Sequence, residues 1–138
     1  MPNNVQESMT PNPRTVEATE PIAAAATIMR DEDVGVVPVV EDGRLAAMLT
    51  DRDIVIRAIA EGRDPQSTTA GEIASRELVT IDPQQSLDEA LRLMAQHQVR
   101  RLPVVEEDGR LVGILAQADV AREGDDRETG HLVEEISK

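Results

Sequence analysis

The chain contains the stretch Pro38-Val39-Val40-Glu41-Asp42-Gly43-Arg44-Leu45, and a close copy of it runs from Pro103 to Leu111. Residues 15–40 align to residues 80–105 without a gap, and one extra residue then enters the turn of the second copy. Each copy joins two aliphatic runs through an Asp-Gly pair, which predicts a β-hairpin. Because two copies are too few for a solenoid, the repeat predicts one domain made of two similar halves.

The residues before each hairpin predict a short strand and then a helix. In the first half the strand is Thr15-Val16, and Thr19 caps a helix that has Pro21 in its first turn. In the second half the strand is Val79-Thr80-Ile81, and the capping box Ser86-x-x-Glu89 opens the helix. Each half is therefore expected to follow the order strand, helix, strand, strand, helix.

Three other segments carry predictions of their own. The proline in Val36-Val37-Pro38-Val39-Val40 predicts an edge strand or a bulged strand, because proline cannot donate a ladder hydrogen bond. Residues 1–12 are polar and include two prolines, so a loose start is expected. Residues 62–68 are expected to link the halves, and Thr69-x-x-Glu72 to cap a short turn of helix.

A polar motif, Thr50-Asp51-Arg52-Asp53, stands between the return strand of the first hairpin and the helix that follows it. A helix start offers unpaired backbone N–H groups and the positive end of the helix dipole, so this place can receive an anion. In the second half the chain has Ala116-Gln117-Ala118-Asp119 in the same setting. The aspartate is thus kept in both halves, whereas the threonine and the arginine occur only in the first.

The composition restricts the classes of function. The formal net charge is −13, which argues against a broad nucleic-acid-binding face and against binding to anionic membranes. An anionic ligand therefore needs a local cluster of arginines. The chain has no cysteine, which excludes disulfides and thiolate chemistry, and no Phe, Tyr or Trp, so no base can stack on a protein aromatic. Without a membrane-length apolar run or a signal pattern, the expected location is cytoplasmic.

The twice-repeated order of these motifs resembles a CBS domain pair, also called a Bateman module. The motifs that carry the resemblance are the short Val/Thr strand, x-x-Pro-Val-Val, Asp-Gly-Arg-Leu and Thr-x-x-Asp, and they cover roughly residues 5–124. The chain is also similar to stand-alone actinobacterial CBS proteins of the hypoxic-response type, because almost nothing lies outside the pair.

The resemblance implies an α/β (α+β) fold of tandem CBS repeats, each a short β-α-β-β-α unit, packed with pseudo-twofold symmetry. The first repeat with its N-terminal segment is expected at residues 1–65, the second at residues 66–124 and an acidic C-terminal tail at residues 125–138. Family members have two clefts that bind adenosyl compounds (AMP, ADP, ATP, S-adenosylmethionine or NAD-type ligands), and they commonly pair into a flat homodimer. The resemblance therefore implies a regulatory sensor with no required cofactor and with a regulated protein that the sequence does not name.

Within this resemblance, Asp53 and Asp119 receive the ribose hydroxyls, since a carboxylate can accept two hydrogen bonds from a cis-diol. Thr50 donates its hydroxyl toward phosphate or ribose, which Ala116 cannot do. This difference predicts one competent cleft at Thr50 and Asp53 and one weakened or empty cleft. The alternative is that Thr50-x-x-Asp53 is only a helix cap, although the two roles are compatible.

The resemblance also makes Arg52, Arg100 and Arg101 the candidates for binding the ligand phosphate. In the pseudo-symmetric packing, Arg100 and Arg101 would reach across toward the ligand of the first repeat. The alternative is that these arginines only form salt bridges with the abundant carboxylates. Thr15 and Thr80 begin the short strands and are candidates for ligand contact by hydroxyl or backbone; otherwise they only fit the strand geometry.

The sequence shows no catalytic constellation and no metal site. His97 and His131 are the only histidines, and neither has a metal-spaced partner. No serine stands in a nucleophile setting, so an enzyme is not expected. Two functions stay open: a sensor that binds an adenosyl ligand, and a dimeric interaction protein with no physiological nucleotide. The lack of aromatics, Ala116 and the acidic charge favour the second.

Overall fold

A computed structural model of the chain describes residues 4–123. These residues form two compact units, which we call the first-repeat unit (residues 14–78) and the second-repeat unit (residues 4–13 with 79–123). The acidic tail predicted at residues 125–138 lies outside the described residues. The repeat boundary predicted between residues 65 and 66 stays a prediction.

The elements alternate between short helices and short strands along the chain. In order they are α1 (Val5–Ser8), β1 (Thr10–Pro11), β2 (Val16–Glu17), α2 (Ile22–Glu32), β3 (Val36–Glu41), β4 (Arg44–Thr50), α3 (Asp51–Asp53), a π-helical segment (Ile54–Ile59), α4 (Ala70–Ile73), α5 (Leu87–His97), β5 (Arg101–Val105), β6 (Leu111–Ala116) and α6 (Gln117–Glu123).

The sheet of the first-repeat unit has the strand order β2-β3-β4, with β2 parallel and β4 antiparallel to β3. The strand β3 is therefore central, and it has a bulge between Val39 and Val40. The predicted bulge is confirmed, whereas the predicted edge position is wrong. Pro38 is tolerated in a central strand because β2 is only two residues long and pairs with Val39 and Val40, beyond the proline.

The start of α2 differs from the prediction. The N–H groups of its first two residues donate to Thr68 O at 2.8 Å and to Pro65 O at 3.2 Å. The N-cap residue is Pro21, which has no side-chain cap, so the prediction that Thr19 caps this helix is wrong. The reason is that the linker between the halves folds back and supplies the backbone acceptors that a capping side chain would otherwise provide.

The sheet of the second-repeat unit has the strand order β1-β6-β5, and both pairings are antiparallel. On the far side of β5, Ile81 alone forms a parallel bridge with Val104, so the strand predicted at residues 79–81 is reduced to one bridge. The Ser86 cap of α5 is confirmed, because Ser86 Oγ accepts from Glu89 N at 3.1 Å.

Residues 4–12 pack against the second-repeat unit, so the prediction of a loose start is wrong for these residues, and residues 1–3 lie outside the described residues. Val5 is fully buried in the core of this unit, and its N–H donates to Gln85 O at 2.9 Å. Thr10 and Pro11 pair with β6, whose Gly113 lies so close to Met9 that any side chain there would collide with it. A single buried aliphatic residue and a strand edge thus hold a stretch whose average composition is polar.

The end of β4 leads directly into a capped helix. Thr50 Oγ1 accepts from Asp53 N at 3.0 Å, and Thr50 N donates to Asp53 Oδ2 at 3.0 Å. After α3 the helix widens into the π-helical segment, in which Ala60 N donates to Val55 O five residues back, and it ends at Gly62, whose φ is 73°. The sequence predicts this helix, but not its π register.

The helix that the sequence predicts after the second hairpin is present after β6 and runs over Gln117–Glu123. Both predicted hairpins are present, β3 with β4 and β5 with β6. The predicted α/β fold of two similar small units is confirmed. Across residues 4–123, no helix combines the length and the hydrophobicity needed to cross a membrane.

The Thr50 cap gives a test of how the helix after β4 is held. We expect Thr50→Ala to lower the free energy of unfolding by about 1 kcal/mol, because Asp53 N loses its acceptor. Thr50→Ser keeps a hydroxyl and should stay within a few tenths of a kcal/mol of the wild type. Urea unfolding followed by far-UV circular dichroism measures both variants. Equal stabilities of the alanine and serine variants would contradict this account of the junction.

Candidate functional site

The candidate site of the first-repeat unit is the junction of β4 and α3. The two oxygens of the Asp53 carboxylate have different surroundings: Oδ2 accepts from Thr50 N, whereas Oδ1 lies 3.9 Å from Arg57 Nε. The Asp53 side chain is 15% exposed, so a small molecule can reach it. A hydroxyl that accepts one hydrogen bond still has a proton to donate, so Thr50 Oγ1 can also serve a ligand. The cap is therefore formed, and Asp53 Oδ1 can still accept a hydrogen bond from a ligand while Thr50 Oγ1 can still donate one.

Two exposed arginines stand beside this junction. Arg52 lies with Asp51, Val55 and Ile56 around an open hollow of about 320 Å³. Within residues 4–123, Arg52 takes part in no ion pair, so its guanidinium is available to an anion. Arg57 instead contacts Asp53 and donates from Nη1 to Ile73 O at 3.1 Å.

Thr15 lies at the same end of this sheet as Thr50. It precedes β2, whose Val16 is opposite Val39, while Thr50 is opposite Val36 on the other side of β3. From ordinary strand spacings the two threonines are roughly 12 Å apart. The first-repeat unit therefore brings four predicted residues, Thr15, Thr50, Arg52 and Asp53, to one end of one small sheet.

The second-repeat unit has the corresponding junction between β6 and α6, but with a weaker cap. Ala116 N donates to Asp119 Oδ2 at 3.4 Å, and Ala116 has no hydroxyl to accept from the helix. Asp119 also has a further interaction in the structure. Of the two hydrogen bonds that form the cap at Thr50, only the one from the backbone N–H to the aspartate has a counterpart here. This agrees with the absence of a hydroxyl at Ala116.

The arginines predicted for the phosphate lie at this second junction. Arg101 is directly opposite Ala116 in the β5–β6 ladder, and Arg100 O accepts from Gln117 N at 2.8 Å. Neither arginine forms an ion pair with another described residue, so the salt-bridge alternative is not realised within residues 4–123. The remaining candidate, Thr80, is half-buried just before Ile81, at the same end of the sheet.

Gln117 adds an amide group to this junction. Its Nε2 is buried and has no hydrogen-bond partner among the described residues, which is uncommon for an amide in a folded protein. A donor of this kind needs an oxygen acceptor from a water or a ligand.

Sequence reasoning missed Arg57, although the signal was present. The residue stands four positions after Asp53, the spacing at which an acid and a base meet on one helix face. For metals, the part of the chain that the structure describes holds no group of three or more His, Cys, Asp or Glu side chains that could bind an ion.

Similarities to known proteins agree with this architecture. The chain is 50% identical over 104 residues to hypoxic response protein 1 of Mycobacterium tuberculosis, which covers 75% of this chain and 72% of that protein. A crystal structure of hypoxic response protein I with two coordinated zinc ions superposes with a TM-score of 0.80 at 44% identity, covering 88% of this chain and 99% of that one.

Two solved relatives contain adenosyl ligands. CBSX2 in complex with AMP has a TM-score of 0.76 at 26% identity and covers 88% of this chain and 96% of its own. The CBS domain pair of protein MJ0100, in complex with 5-methylthioadenosine and S-adenosyl-L-methionine, has a TM-score of 0.75 at 26% identity and covers 87% and 94%. The family model for the CBS domain matches this chain twice, at residues 5–59 and 70–126. The chain therefore belongs to the CBS domain family and contains two CBS repeats.

Proposed function

We propose that this chain is a non-enzymatic regulatory sensor whose first-repeat junction binds an adenosyl ligand: AMP, ADP, ATP, S-adenosylmethionine or an NAD-type compound. The observation that carries the proposal is that the two oxygens of the Asp53 carboxylate have different partners. One oxygen completes the helix cap, and the other is left for a sugar hydroxyl. Relatives that hold AMP or S-adenosylmethionine support the choice of ligand class.

The first junction is also the better anion site in this acidic chain. Arg52 is not ion-paired within the described residues, and Thr50 supplies a hydroxyl. The expectation of unpaired N–H groups at this helix start is wrong, because Asp51 N donates to Gly35 O at 2.9 Å and the N–H groups of Arg52 and Asp53 donate to the side chains of Asp51 and Thr50. The second junction lacks the hydroxyl and has a longer backbone contact to its aspartate, although Arg100 and Arg101 lie close by. We therefore propose preferential binding at the first junction. The cytoplasmic location, the homodimer and the regulated protein stay predictions.

The substitution Asp53→Asn separates the two roles of this side chain. An asparagine oxygen can still accept from Thr50 N, whereas an NH₂ group replaces the oxygen that faces the ligand. We expect the dissociation constant for AMP, measured by isothermal titration, to rise at least about tenfold, because a hydrogen bond to a charged acceptor is lost. The melting temperature without ligand should change little.

The matched control is Asp119→Asn in the second-repeat unit, which should leave the high-affinity binding intact. The absence of aromatic residues adds a second readout, because any clear absorbance of the purified protein near 260 nm comes from a co-purified nucleotide or nucleic acid. Unchanged affinity of Asp53→Asn for AMP, ATP and S-adenosylmethionine would show that the site is wrongly assigned.

A second candidate function, a dimeric interaction protein, is favoured by a different observation. The exposed fractions of Val55, Ile56 and Ile59 are 54%, 49% and 52%, and all three lie on the π-helical segment. Large aliphatic side chains this exposed on one short helix mark a surface for association. Antiparallel pairing of two copies would bring Arg52 near the partner subunit's Glu61, and neither residue has an ion-pair partner within residues 4–123.

The substitution Ile56→Arg tests this surface. Arginine is chosen because Arg122 occupies the corresponding position in the sequence of the second repeat. We expect the wild type to sediment as a dimer in analytical ultracentrifugation and the variant to shift toward the monomer, because a buried charge would replace apolar contact. The control Val34→Arg changes an exposed aliphatic residue outside the π-helical segment and should stay dimeric. A monomeric wild type, or a dimeric Ile56→Arg protein, would rule out this surface.

A further inference from the structure

We propose that Arg57 is a positioning residue for Asp53 and couples occupation of the first junction to helix α4. This inference rests on the function proposed above, because it assigns Asp53 to ligand binding. Arg57 Nε lies 3.9 Å from Asp53 Oδ1, and Arg57 Nη1 donates to Ile73 O at 3.1 Å. One guanidinium thus connects the outward oxygen of the carboxylate with the last residue of α4 (Ala70–Ile73).

The two contacts of Arg57 have distinct physical roles. The carbonyl at the end of a helix has no intrahelical partner, so Ile73 O is an acceptor that the guanidinium satisfies. This anchor fixes the side chain of Arg57, which is otherwise 55% exposed, in a single direction. A planar guanidinium can hold two acceptors in a fixed geometry, which a lysine ammonium on a flexible chain does less well. Asp53 Oδ1 therefore faces a cation that is itself held in place.

The contact supports ligand binding rather than competing with it. At 3.9 Å the Arg57–Asp53 pair is an ion contact and not a short hydrogen bond, so the lone pairs of Oδ1 stay open to a sugar hydroxyl. The cation also offsets the charge of Asp53 and Asp51 where an anionic ligand would approach, in a chain whose net charge is −13. Removing Arg57 would leave a less restrained carboxylate and a stronger repulsion.

The second repeat reverses this charge. The residue that corresponds to Arg57 is Glu123, four positions after Asp119. The sequence therefore has a base four positions after the shared aspartate in the first repeat and an acid in the second. This difference in sequence adds to the loss of the threonine hydroxyl at Ala116.

Three variants test the role of Arg57 against its surroundings. Arg57→Met keeps a similar stem but removes both contacts, and it should weaken AMP binding about threefold to tenfold, as for the loss of a charge-assisted contact. Arg57→Lys keeps the charge near Asp53 and should recover much of the affinity. The control Arg63→Met makes the same change in net charge beside α4, where Arg63 Nη2 contacts Glu72 Oε2 at 2.7 Å, and it should bind AMP as the wild type does.

Hydrogen exchange measures the coupling to α4. Because coupling between two sites is reciprocal, AMP should slow amide exchange in the peptide that covers residues 70–74 of the wild-type protein and of Arg63→Met. This slowing should disappear in Arg57→Met and Arg57→Lys, since neither can make both contacts. A residue with only a structural role would alter exchange without ligand but would leave the effect of AMP unchanged.

The outcomes separate this inference from the proposed function. Wild-type affinity in Arg57→Met, or equal losses in Arg57→Met and Arg63→Met, would overturn the role of Arg57 while the function stands. If the wild type binds no adenosyl ligand, the proposed function fails. The ligand-free proteins then test the contact between Arg57 and Asp53. The carboxyl ¹³C resonance of Asp53 should shift in Arg57→Met and not in Arg63→Met. An unshifted resonance in both variants would overturn the role of Arg57.

Discussion

The reciprocal hydrogen-bond pair between Thr50 and Asp53 is the contact on which the first junction depends. It ends β4, starts α3 and fixes the rotamer of the aspartate in a single step. Because the pair uses only one oxygen of the carboxylate, the other oxygen faces Arg57 and remains open to a sugar hydroxyl. The structural role of Asp53 thus creates the geometry of its proposed functional role.

The two repeats show what happens when one member of this pair is missing. At the second junction, Ala116 keeps the backbone donor but has no hydroxyl, and the remaining contact to Asp119 lengthens to 3.4 Å. The surrounding charges differ as well, since Arg100 and Arg101 lie near Ala116 while Arg52 and Arg57 lie near Thr50. The two repeats therefore have chemically different junctions, in keeping with the proposal that one of them is preferred.

Much of this architecture can be predicted from the sequence, because its signals are local. Asp-Gly pairs mark the hairpins, and Ser86-x-x-Glu89 and Thr50-x-x-Asp53 mark helix starts through contacts three residues apart. The failures involve distant partners: Val5 is buried by residues of the second half of the chain, and α2 is capped by the linker instead of Thr19. The exposure of the aliphatic side chains on the π-helical segment also cannot be predicted from the sequence. A helix with aliphatic residues on all sides has the sequence pattern of a buried helix.

One of the two junctions is proposed to be preferred, and nuclear magnetic resonance can locate binding directly. In a titration of the ¹⁵N-labelled protein with AMP, the amide resonances of Thr50 to Asp53 should shift and saturate first. Those of Ala116 to Asp119 should respond only at higher concentration or not at all. Equal shifts at both junctions would contradict the asymmetry, and shifts at the second junction alone would reverse it.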